Sequence, residues 1–560
     1  MPIKIQGTQY NIGDIFCDKF LFSIPLYQRP YDWEEEEAGE LLEDLLGCLE
    51  NSSSEDLNPY FLGSIVLIKD EDSPEAQIID GQQRLTTLTI LLAALREVIS
   101  DKEYTNELSE FIYQKGRKLT QTPNSYRLTL RQRDADFFRK YIQHEDGISQ
   151  LENLDYSQLS DSQNKLRNNT LFCQKRLTEI SEEQLIKLAG FIIKKCLLVV
   201  VSTPDLESAY RIFSVLNDRG RDLSLTDIFK AEIIGNIPDE EKEKYTENWE
   251  NIEEKLGRDE FENLFSDILM IYRKAKSSEA IIKELREYVK PSDNPTNFID
   301  NKLSPFANAF SNIRNANYQS SKYVEQINTI FKALNQIDNK NWMPPAILYL
   351  SKYKNQPEKL LNFFQDFDRL ASCLMIIRAN INQRIKRYGS LLSEIENGED
   401  LHRLDSALQL KNHECQRIIN SLNKDCFYGE RTCRYVLLRL DTALSEGVAN
   451  YDFSTITIEH ILPQRPPHNS QWLNWFTTKQ RQKYTNCLGN LVLLSCKKNQ
   501  QASNYEFEEK KQKYFSTNDG VSPFVLTTQV LTENEWTPEI IERRQQKLLE
   551  KLKELWRLDI

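Results

Sequence analysis

The stretch IIDGQQRLTTL, residues 78–88, decides how the N-terminal part of this chain folds. Its apolar start is typical of a strand that ends at Asp80, and Gly81 allows the backbone to turn closely. The run that follows predicts a long helix beginning near Gln82. Backbone amides at a helix N-terminus attract anions, and Arg84 adds a guanidinium. The stretch therefore predicts a strand, a turn and a helix that could hold either a triphosphate with its metal ion or a nucleic-acid phosphate.

Further strands and helices are predicted on either side of this turn. Apolar runs bounded by turn residues predict three strands: YFLGSIVLI at 60–68, AQIID at 76–80 and KKCLLVVVST at 194–203. FSIPLYQRPYDW at 22–33 is extended and contains two prolines. A helix is expected at 208–220, and SLTD at 224–227 is typical of a capping box that opens another. Strands and helices thus alternate over roughly the first 235 residues.

The remaining chain divides into two parts of different character. From about Pro238 to Ala449 the apolar residues follow helical periodicity, which predicts a helical bundle. The last part begins near Tyr451 and has the order strand, loop, strand, helix. We therefore expect a multidomain α+β protein with domains at 1–235, 236–450 and 451–560, as its length of 560 residues suggests.

Composition excludes several classes of protein. The formal net charge of −13 gives no global positive field, so a polyanion would have to meet a local basic patch. No apolar run approaches the roughly 18 residues of a membrane span, and the N-terminus lacks a signal-peptide core. Ten cysteines without a CxxC pair indicate reduced thiols. We expect a cytoplasmic protein with no membrane partner.

Common catalytic motifs are missing from the sequence. It contains no GxxxxGK[ST], no GxSxG and no HExxH. His413 with Cys415, Cys426 and Cys433 comes nearest to a zinc cluster, but its spacing matches no usual zinc pattern.

A second informative stretch, IEHILP, covers residues 458–463. His460 would deprotonate an attacking water, while Glu459 and the distant Asn499 supply oxygen ligands of the kind that Mg²⁺ or Mn²⁺ prefers. Such a site can hydrolyse a phosphodiester. The alternative for His460 is simple packing beside Pro463.

Basic residues surround this second stretch. They outnumber the acids Glu506, Glu508 and Glu509, which predicts a basic patch for phosphate contact, with a solvated charged face as the alternative. The predicted members are Arg465, Lys479, Arg481, Lys483, Lys497, Lys498, Lys510, Lys511 and Lys513.

Taken together, the motifs resemble one known family. PLYQRPYDW, FLGSIVL, IIDGQQRLTTL and FSVLNDRGRDLSLTDIFKAE are similar to the N-terminal domain of GmrSD-type, type IV restriction enzymes, whose DGQQR motif lies on a ParB/sulfiredoxin-like fold. The His460 region resembles the GmrD-type HNH endonuclease domain, which has a ββα-metal fold. The helical middle is matched only in general character.

The resemblance implies nucleotide-dependent cleavage of modified foreign double-stranded DNA, as in phage defence. GTP or ATP would be hydrolysed at the N-terminal site, and the chain could form a homo-oligomer. The residues implied for the nucleotide step are Asp80, Gly81, Gln82, Gln83 and Arg84, with Tyr27, Gln28 and Arg29 nearby and Asn217, Arg219, Asp227 and Lys230 as second-tier candidates. In the HNH domain, the resemblance implies that His460 is the general base, that Glu459 and Asn499 bind the metal ion, and that Asn490 holds the loop through backbone hydrogen bonds.

Several alternatives remain open at this point. Glu459 stands where many relatives have Asp, so the protein could instead be a sensor with an inactive HNH domain that acts through oligomerisation. An RNA-directed nuclease would use the same residues. Tyr27 to Trp33 could supply only an aromatic core contact, Asn217 to Gly220 only a helix C-cap, and Asp227 only a capping acid.

Overall fold

The computed structural model describes residues 6–50, 58–119, 123–204, 208–209, 212, 225–278, 280–445, 456–495, 504–512, 516–517 and 520–558. The chain forms two compact units, Met1–Asn251 and Ile252–Ile560. The predicted division into three domains stays a prediction.

The first unit contains eight strands among its described residues: β1 Gln6–Asn11, β2 Leu21–Ser23, β3 Tyr60–Ile68, β4 Glu75–Asp80, β5 Tyr113–Gln114, β6 Ser125–Tyr126, β7 Leu128–Thr129 and β8 Cys196–Thr203. Its helices are α1 Ile12–Ile15, α2 Glu35–Glu50, α3 Gln82–Val98, α4 Lys102–Ile112, α5 Gln132–Phe138, α6 Asp161–Thr178, α7 Glu182–Lys195 and α8 Leu225–Gly235, and α9 Asp239–Leu256 continues into the second unit. Short 3₁₀ or π segments lie at Arg139–Gln143, Ile148–Asn153 and Tyr156–Gln158.

The central sheet of this unit has the strand order β1-β8-β3-β4-β2-β7 within the described residues. β8 runs parallel to β3, whereas β1 pairs with β8 and β3 pairs with β4 in antiparallel register. β8 is rich in β-branched residues, which suit the middle of a sheet. All three predicted strands are confirmed, although Lys194 and Lys195 end α7 and do not belong to β8.

Helix α3 lies at the centre of the first unit, where it packs on α4 and α6. Nearly all of its residues are buried, so its polar side chains need internal partners. Thr86, Thr87 and Thr89 each donate a hydrogen bond to the carbonyl four residues earlier. These bonds satisfy the buried hydroxyls with carbonyls of the first turns of α3 itself, so the helix can lie inside the apolar core.

The second unit begins as a helical array, as the sequence predicted. Its helices in this part are α10 Arg258–Arg273, α11 Ile281–Glu284, α12 Pro295–Phe298, α13 Ser304–Asn315, α14 Val324–Leu334, α15 Met343–Tyr353, α16 Pro357–Ile376, α17 Ile381–Asn397, α18 Asn412–Leu422 and α19 Cys433–Leu444. Short 3₁₀ or π segments occur at Leu285–Val289, Pro291–Asp293 and Ile299–Leu303. Stacked rings of Tyr349 and Phe363, 3.6 Å apart at their centroids, mark its aromatic core.

The C-terminal part combines short strands with helices. Its elements are β9 Ile456–His460, α20 Gln471–Trp475, α21 Thr478–Tyr484, a 3₁₀ turn Leu488–Asn490, β10 Leu491–Ser495, α22 Phe507–Lys510, β11 Ser516–Thr517, β12 Gly520–Val521, α23 Val525–Thr528, a 3₁₀ turn Gln529–Thr532 and α24 Pro538–Trp556. β9 and β10 pair in antiparallel register, with His460 opposite Leu491. A mixed α+β fold with an N-terminal α/β sheet and a helical middle is thereby confirmed. Among the described helices, none is long and apolar enough to cross a membrane.

Candidate functional site

The turn between β4 and α3 requires glycine. Gly81 caps α3 with φ of 92°, in the left-handed region. A Cβ atom at this position would also overlap the Cγ2 methyl of Ile65. Both constraints place the α3 amides directly after Asp80, as the sequence predicted.

Asp80 interacts through charge with two guanidinium groups at this turn. Burial raises the pKa of Asp80, while the charges of Arg84 and Arg29 lower it. Burial also lowers the pKa of Arg84, whose Nη1 donates to the carbonyl of Ser64 at 3.0 Å. Within the described part of the chain, neither guanidinium forms an ion pair with Asp80. The two arginines therefore act on Asp80 through charge, at a distance longer than an ion pair, close to the N-terminus of a long helix.

Gln28 and Gln83 connect the two motif segments. Gln28 Nε2 donates to the carbonyl of Ile79 at 3.1 Å. Gln83 accepts from the amide of Asp32 at 2.9 Å and donates to the carbonyl of Pro30 at 3.0 Å. Both side chains are buried. They hold the extended segment against the turn, whereas the resemblance implied that they bind the nucleotide.

Tyr27 and Gln82 are also turned inward. Burial raises the pKa of the Tyr27 phenol, and its hydroxyl has no hydrogen-bond partner among the described residues. The same is true of Gln82 Oε1. Tyr31 is a core residue, which agrees with the alternative of an aromatic core contact in this segment. Its hydroxyl bonds with Thr87 Oγ1 at 2.8 Å and accepts from Asn169.

A buried ionic network supports this region, and sequence reasoning missed its two central residues. Arg131 donates to the Gln28 carbonyl at 3.4 Å and also binds Glu250. Glu250 accepts from Lys230 Nζ at 2.8 Å. Arg131 and Asp134 form an ion pair at 3.0 Å. Their three-residue spacing, typical of a helical ion pair, is the sequence feature that could have identified Arg131. Glu250 lies in a strongly acidic helix, where nothing distinguishes it.

The second-tier candidates are only partly described. Lys230 is buried in the ion pair with Glu250, and Asp227 is buried at the start of α8. Asn217 and Arg219 lie outside the described residues.

In the second unit, His460 ends β9 and is held from two sides. Its Nε2 is 3.1 Å from Asn486 Oδ1, and the ring of Tyr428 packs on it with centroids 4.3 Å apart. Burial lowers the pKa of His460 to about 4, with a smaller contribution from the charge of Lys510, although the bond to Asn486 raises it. The imidazole is therefore neutral near pH 7, as a general base must be.

Glu459 points to the other side of β9, where it meets Lys510 of α22. Lys510 Nζ donates to Glu459 Oε1 at 2.8 Å and to the carbonyl of His460 at 2.6 Å. The lysine is only 1% exposed, and burial lowers its pKa. Its assignment to the exposed basic patch is wrong, because its short bonds inside the fold leave no room for a phosphate. Asn499, the second predicted metal ligand, lies outside the described residues.

Asn490 holds the loop that follows His460. Its Nδ2 donates to the carbonyls of Leu462 and Thr485, at 3.0 and 2.8 Å. Its Oδ1 accepts from the amide of Leu462 and from the indole of Trp536. The three bonds to Leu462 and Thr485 are backbone bonds of the kind that the resemblance implied. Because Asn490 has no exposed surface, any effect on catalysis is exerted through the position of this loop.

Helix α24 fixes the turn that carries Asn490, a contact that the sequence did not reveal. Gln545 accepts from the amide of Gly489, and Arg544 donates to the carbonyls of Gly489 and Leu491 at 2.7 and 3.0 Å. Burial lowers the pKa of Arg544 to about 10, so it stays charged at neutral pH. Helix α24 therefore contacts the turn at Leu488–Asn490, and this turn contacts the loop after His460.

The rest of the predicted basic patch is only partly exposed. Arg465 and Lys479 are exposed and form no ion pair with a described residue. Two other members are neutralised: Lys483 by Glu542 and Lys511 by Glu508, each at 2.9 Å. Arg481 donates to the carbonyl of Phe476, which lies just before the helix that carries Arg481. Lys497, Lys498 and Lys513 lie outside the described residues.

Clusters of metal-binding type are missing from the described ranges. No three His, Cys, Asp or Glu side chains in them lie close enough together to hold a metal ion. Cys415 and Cys433 are buried and Cys426 is exposed.

Comparisons with known proteins match both ends of the chain. The family model described as GmrSD restriction endonuclease, N-terminal domain, matches residues 12–234. The one described as GmrSD restriction endonucleases, C-terminal domain, matches residues 414–551, and so begins within the segment predicted as a helical linker. The second match therefore includes Tyr428 as well as His460. A comparison with curated proteins returned no match.

Proposed function

The chain belongs to the GmrSD restriction endonuclease family, and we propose that it is a nucleotide-dependent and metal-dependent endonuclease that cuts or nicks modified foreign DNA. Family membership confirms the resemblance drawn from DGQQR and IEHILP. It also assigns the protein to the type IV restriction endonucleases. The nucleotide, the metal ion and the modified target are the proposed parts.

The environment of His460 carries the nuclease proposal. A neutral imidazole lies at the end of a strand, beside a loop that Asn490 holds through three backbone hydrogen bonds. The order β9, β10, α22 supports a ββα-metal fold of the HNH type. In such a site, His460 would take the proton of the attacking water.

The donor chemistry beside His460 fits a hard divalent cation. Glu459 Oε1 is bonded to Lys510, but its other carboxylate oxygen accepts no hydrogen bond from any described residue. This oxygen and the amide of Asn499 are the proposed ligands of Mg²⁺ or Mn²⁺, which commonly keep several waters. When bound, the ion would polarise the scissile phosphate.

The turn at Gly81 supports a nucleotide site. The N-terminus of α3 follows Asp80 directly, and Arg84 and Arg29 both lie near that carboxylate. We propose that the two guanidinium groups and the α3 amides bind the phosphates of GTP or ATP. Asp80 would then hold the accompanying metal ion or orient water. The six-stranded mixed sheet that carries this turn supports the ParB/sulfiredoxin-like assignment.

A pair of variants tests the two activities separately. We expect His460→Ala to abolish nicking of modified DNA while nucleotide hydrolysis persists, and Asp80→Ala to abolish hydrolysis of ATP or GTP. The measurement is a cleavage panel of identical DNA with different modifications, with and without nucleotide, in Mg²⁺ or Mn²⁺. His468→Ala and Asp72→Ala, at exposed positions in the same units, are the controls.

Cutting by His460→Ala at the parent rate would refute the nuclease site. Unchanged hydrolysis by Asp80→Ala would refute the nucleotide site.

One observation favours a second candidate function, a modified-DNA sensor with an inactive HNH domain. The Lys510 ammonium already neutralises the carboxylate proposed to bind metal. A sensor would bind modified DNA and change its oligomeric state without nicking plasmid. Nicking of plasmid by the parent protein, lost in His460→Ala, would exclude the sensor.

A further inference from the structure

The contact between His460 Nε2 and Asn486 Oδ1 bears on which ring nitrogen carries the proton. An amide oxygen accepts hydrogen bonds and never donates them. Nε2 has two polar contacts with described residues, Asn486 Oδ1 at 3.1 Å and Gln464 Nε2 at 3.4 Å. The shorter contact is with an acceptor, which favours the neutral tautomer that carries the proton on Nε2. Gln464 Nε2 is equally far, 3.4 Å, from Asn486 Oδ1, so it can donate to that oxygen while Nε2 of the ring donates to the same oxygen.

The opposite ring nitrogen is left to act as a base. Nδ1 of His460 makes no hydrogen bond with any residue in the described part of the chain. In the neutral tautomer with Nε2 protonated, Nδ1 carries the lone pair. A hydrogen bond donated by Nε2 thus leaves Nδ1 as the basic atom of the ring.

Asn486 is itself held firmly in place. Its backbone carbonyl accepts from the amides of Phe427 and Tyr428, at 2.8 and 2.9 Å. Phe427 is buried, and the Tyr428 ring packs against His460. The same two-residue segment therefore fixes the backbone of Asn486 and one face of the imidazole. The position of the Asn486 amide therefore depends on the same segment as the position of the His460 ring.

We infer that Asn486 is a positioning residue for His460, which keeps the proton on Nε2 so that Nδ1 receives the proton of the attacking water. The inference rests on the proposed nuclease function. As water loses that proton to Nδ1, its oxygen forms a bond to phosphorus. The bond from phosphorus to the leaving oxygen breaks, and the leaving oxygen takes a proton from solvent.

Two substitutions of similar size separate this role from a structural one. Asn486→Leu removes the acceptor, and we expect nicking kcat to fall about tenfold to a hundredfold, a part of what a general base contributes. KM for DNA and the thermal transition should change little, since the backbone bonds of Asn486 remain. Asn486→Asp retains an accepting oxygen and should recover most of the lost kcat.

A spectroscopic measurement tests the tautomer without relying on activity. In the full-length protein with ¹⁵N-labelled histidine, the ring resonances of His460, assigned with His460→Gln, should show a protonated Nε2 in the parent. Asn486→Leu should shift the ring toward a mixture of tautomers, and Asn486→Asp should not.

A protonated Nδ1 in the parent would overturn the inference, as would full nicking by Asn486→Leu with Nε2 still protonated. If His460→Ala cuts DNA while the parent spectrum shows a protonated Nε2, the proposed function fails and the positioning of the ring by Asn486 stands alone. These two failures are therefore distinguishable.

Discussion

Gln83 and Arg29 belong to the two motif segments of the N-terminal unit, yet their side chains have different partners. Gln83 is buried and bonded at both ends of its amide to the backbone at Pro30 and Asp32. Arg29 is half-buried and interacts with Asp80 only through charge. Although both residues belong to the motif, Gln83 thus shapes the turn, whereas Arg29 can reach a ligand.

This division predicts opposite effects of two substitutions. Gln83→Leu removes both hydrogen bonds that tie α3 to the part-buried backbone at Pro30 and Asp32, so we expect it to lower the free energy of unfolding by about 1–3 kcal/mol. Arg29→Gln should change stability by less than about 0.5 kcal/mol. It should lower nucleotide hydrolysis about tenfold or more, the size expected for one lost charge-assisted phosphate contact.

Thermal unfolding and nucleotide turnover measure the two effects, with exposed Lys115→Gln as the control. Equal loss of stability in Gln83→Leu and Arg29→Gln would contradict the division.

At the scale of elements, helix α24 and the turn Leu488–Asn490 form one structural piece. Gly489 lies so close to the helix that an added Cβ would be 2.7 Å from the carbonyl of Ile541 and 3.1 Å from Gln545 Cβ. This turn carries Asn490, which holds the loop after His460. Displacement of this turn should therefore reach the proposed general base.

Gly489→Ala tests the dependence of the site on this contact. The extra methyl meets backbone as well as side chain, so we expect a loss of about 1–3 kcal/mol in stability. DNA nicking should fall with it, while nucleotide hydrolysis at the N-terminal unit persists. Gly429→Ala is a matched control, because its Cβ would meet only Cys426 Sγ, at an ordinary 3.8 Å. Equal thermal transitions and nicking in the two variants would show that α24 does not constrain the turn.

At the scale of the whole molecule, charge limits where DNA can bind. The chain carries a formal net charge of −13, so a polyanion is repelled on average. Of the predicted basic patch, Arg465 and Lys479 stay exposed without an ion pair to a described residue. Lys510 is buried and serves the fold.

Charge reversal should therefore weaken DNA binding at two positions. We expect Arg465→Glu and Lys479→Glu each to lower affinity and to reduce the salt dependence of binding by about one unit of slope, as loss of one phosphate contact does. Fluorescence anisotropy across a salt series measures both quantities. Lys386→Glu, exposed in the helical array, changes net charge equally and is the control. If all three variants lose affinity alike, the effect is one of net charge and the patch has no special role.

The sequence by itself determined the local pieces: the strands that became β3, β4 and β8, and the glycine turn before α3. Each depends on hydrophobic periodicity, on backbone conformation or on a motif of known order, all of which act over a few residues or recur in a family. Other motif residues, such as Asn217 and Asn499, lie outside the described residues and stay predictions.

Tertiary structure alone decided which side chains serve the sites. Lys510 had the appearance of a surface lysine, and Asn486 and Glu250 had no distinguishing pattern. Their partners lie far along the chain: Lys510 binds Glu459, 51 residues away, and Arg131 binds Glu250, 119 residues away. The free energy of such a pair depends on burial and on the distance between charges, and both exist only once the elements have packed together.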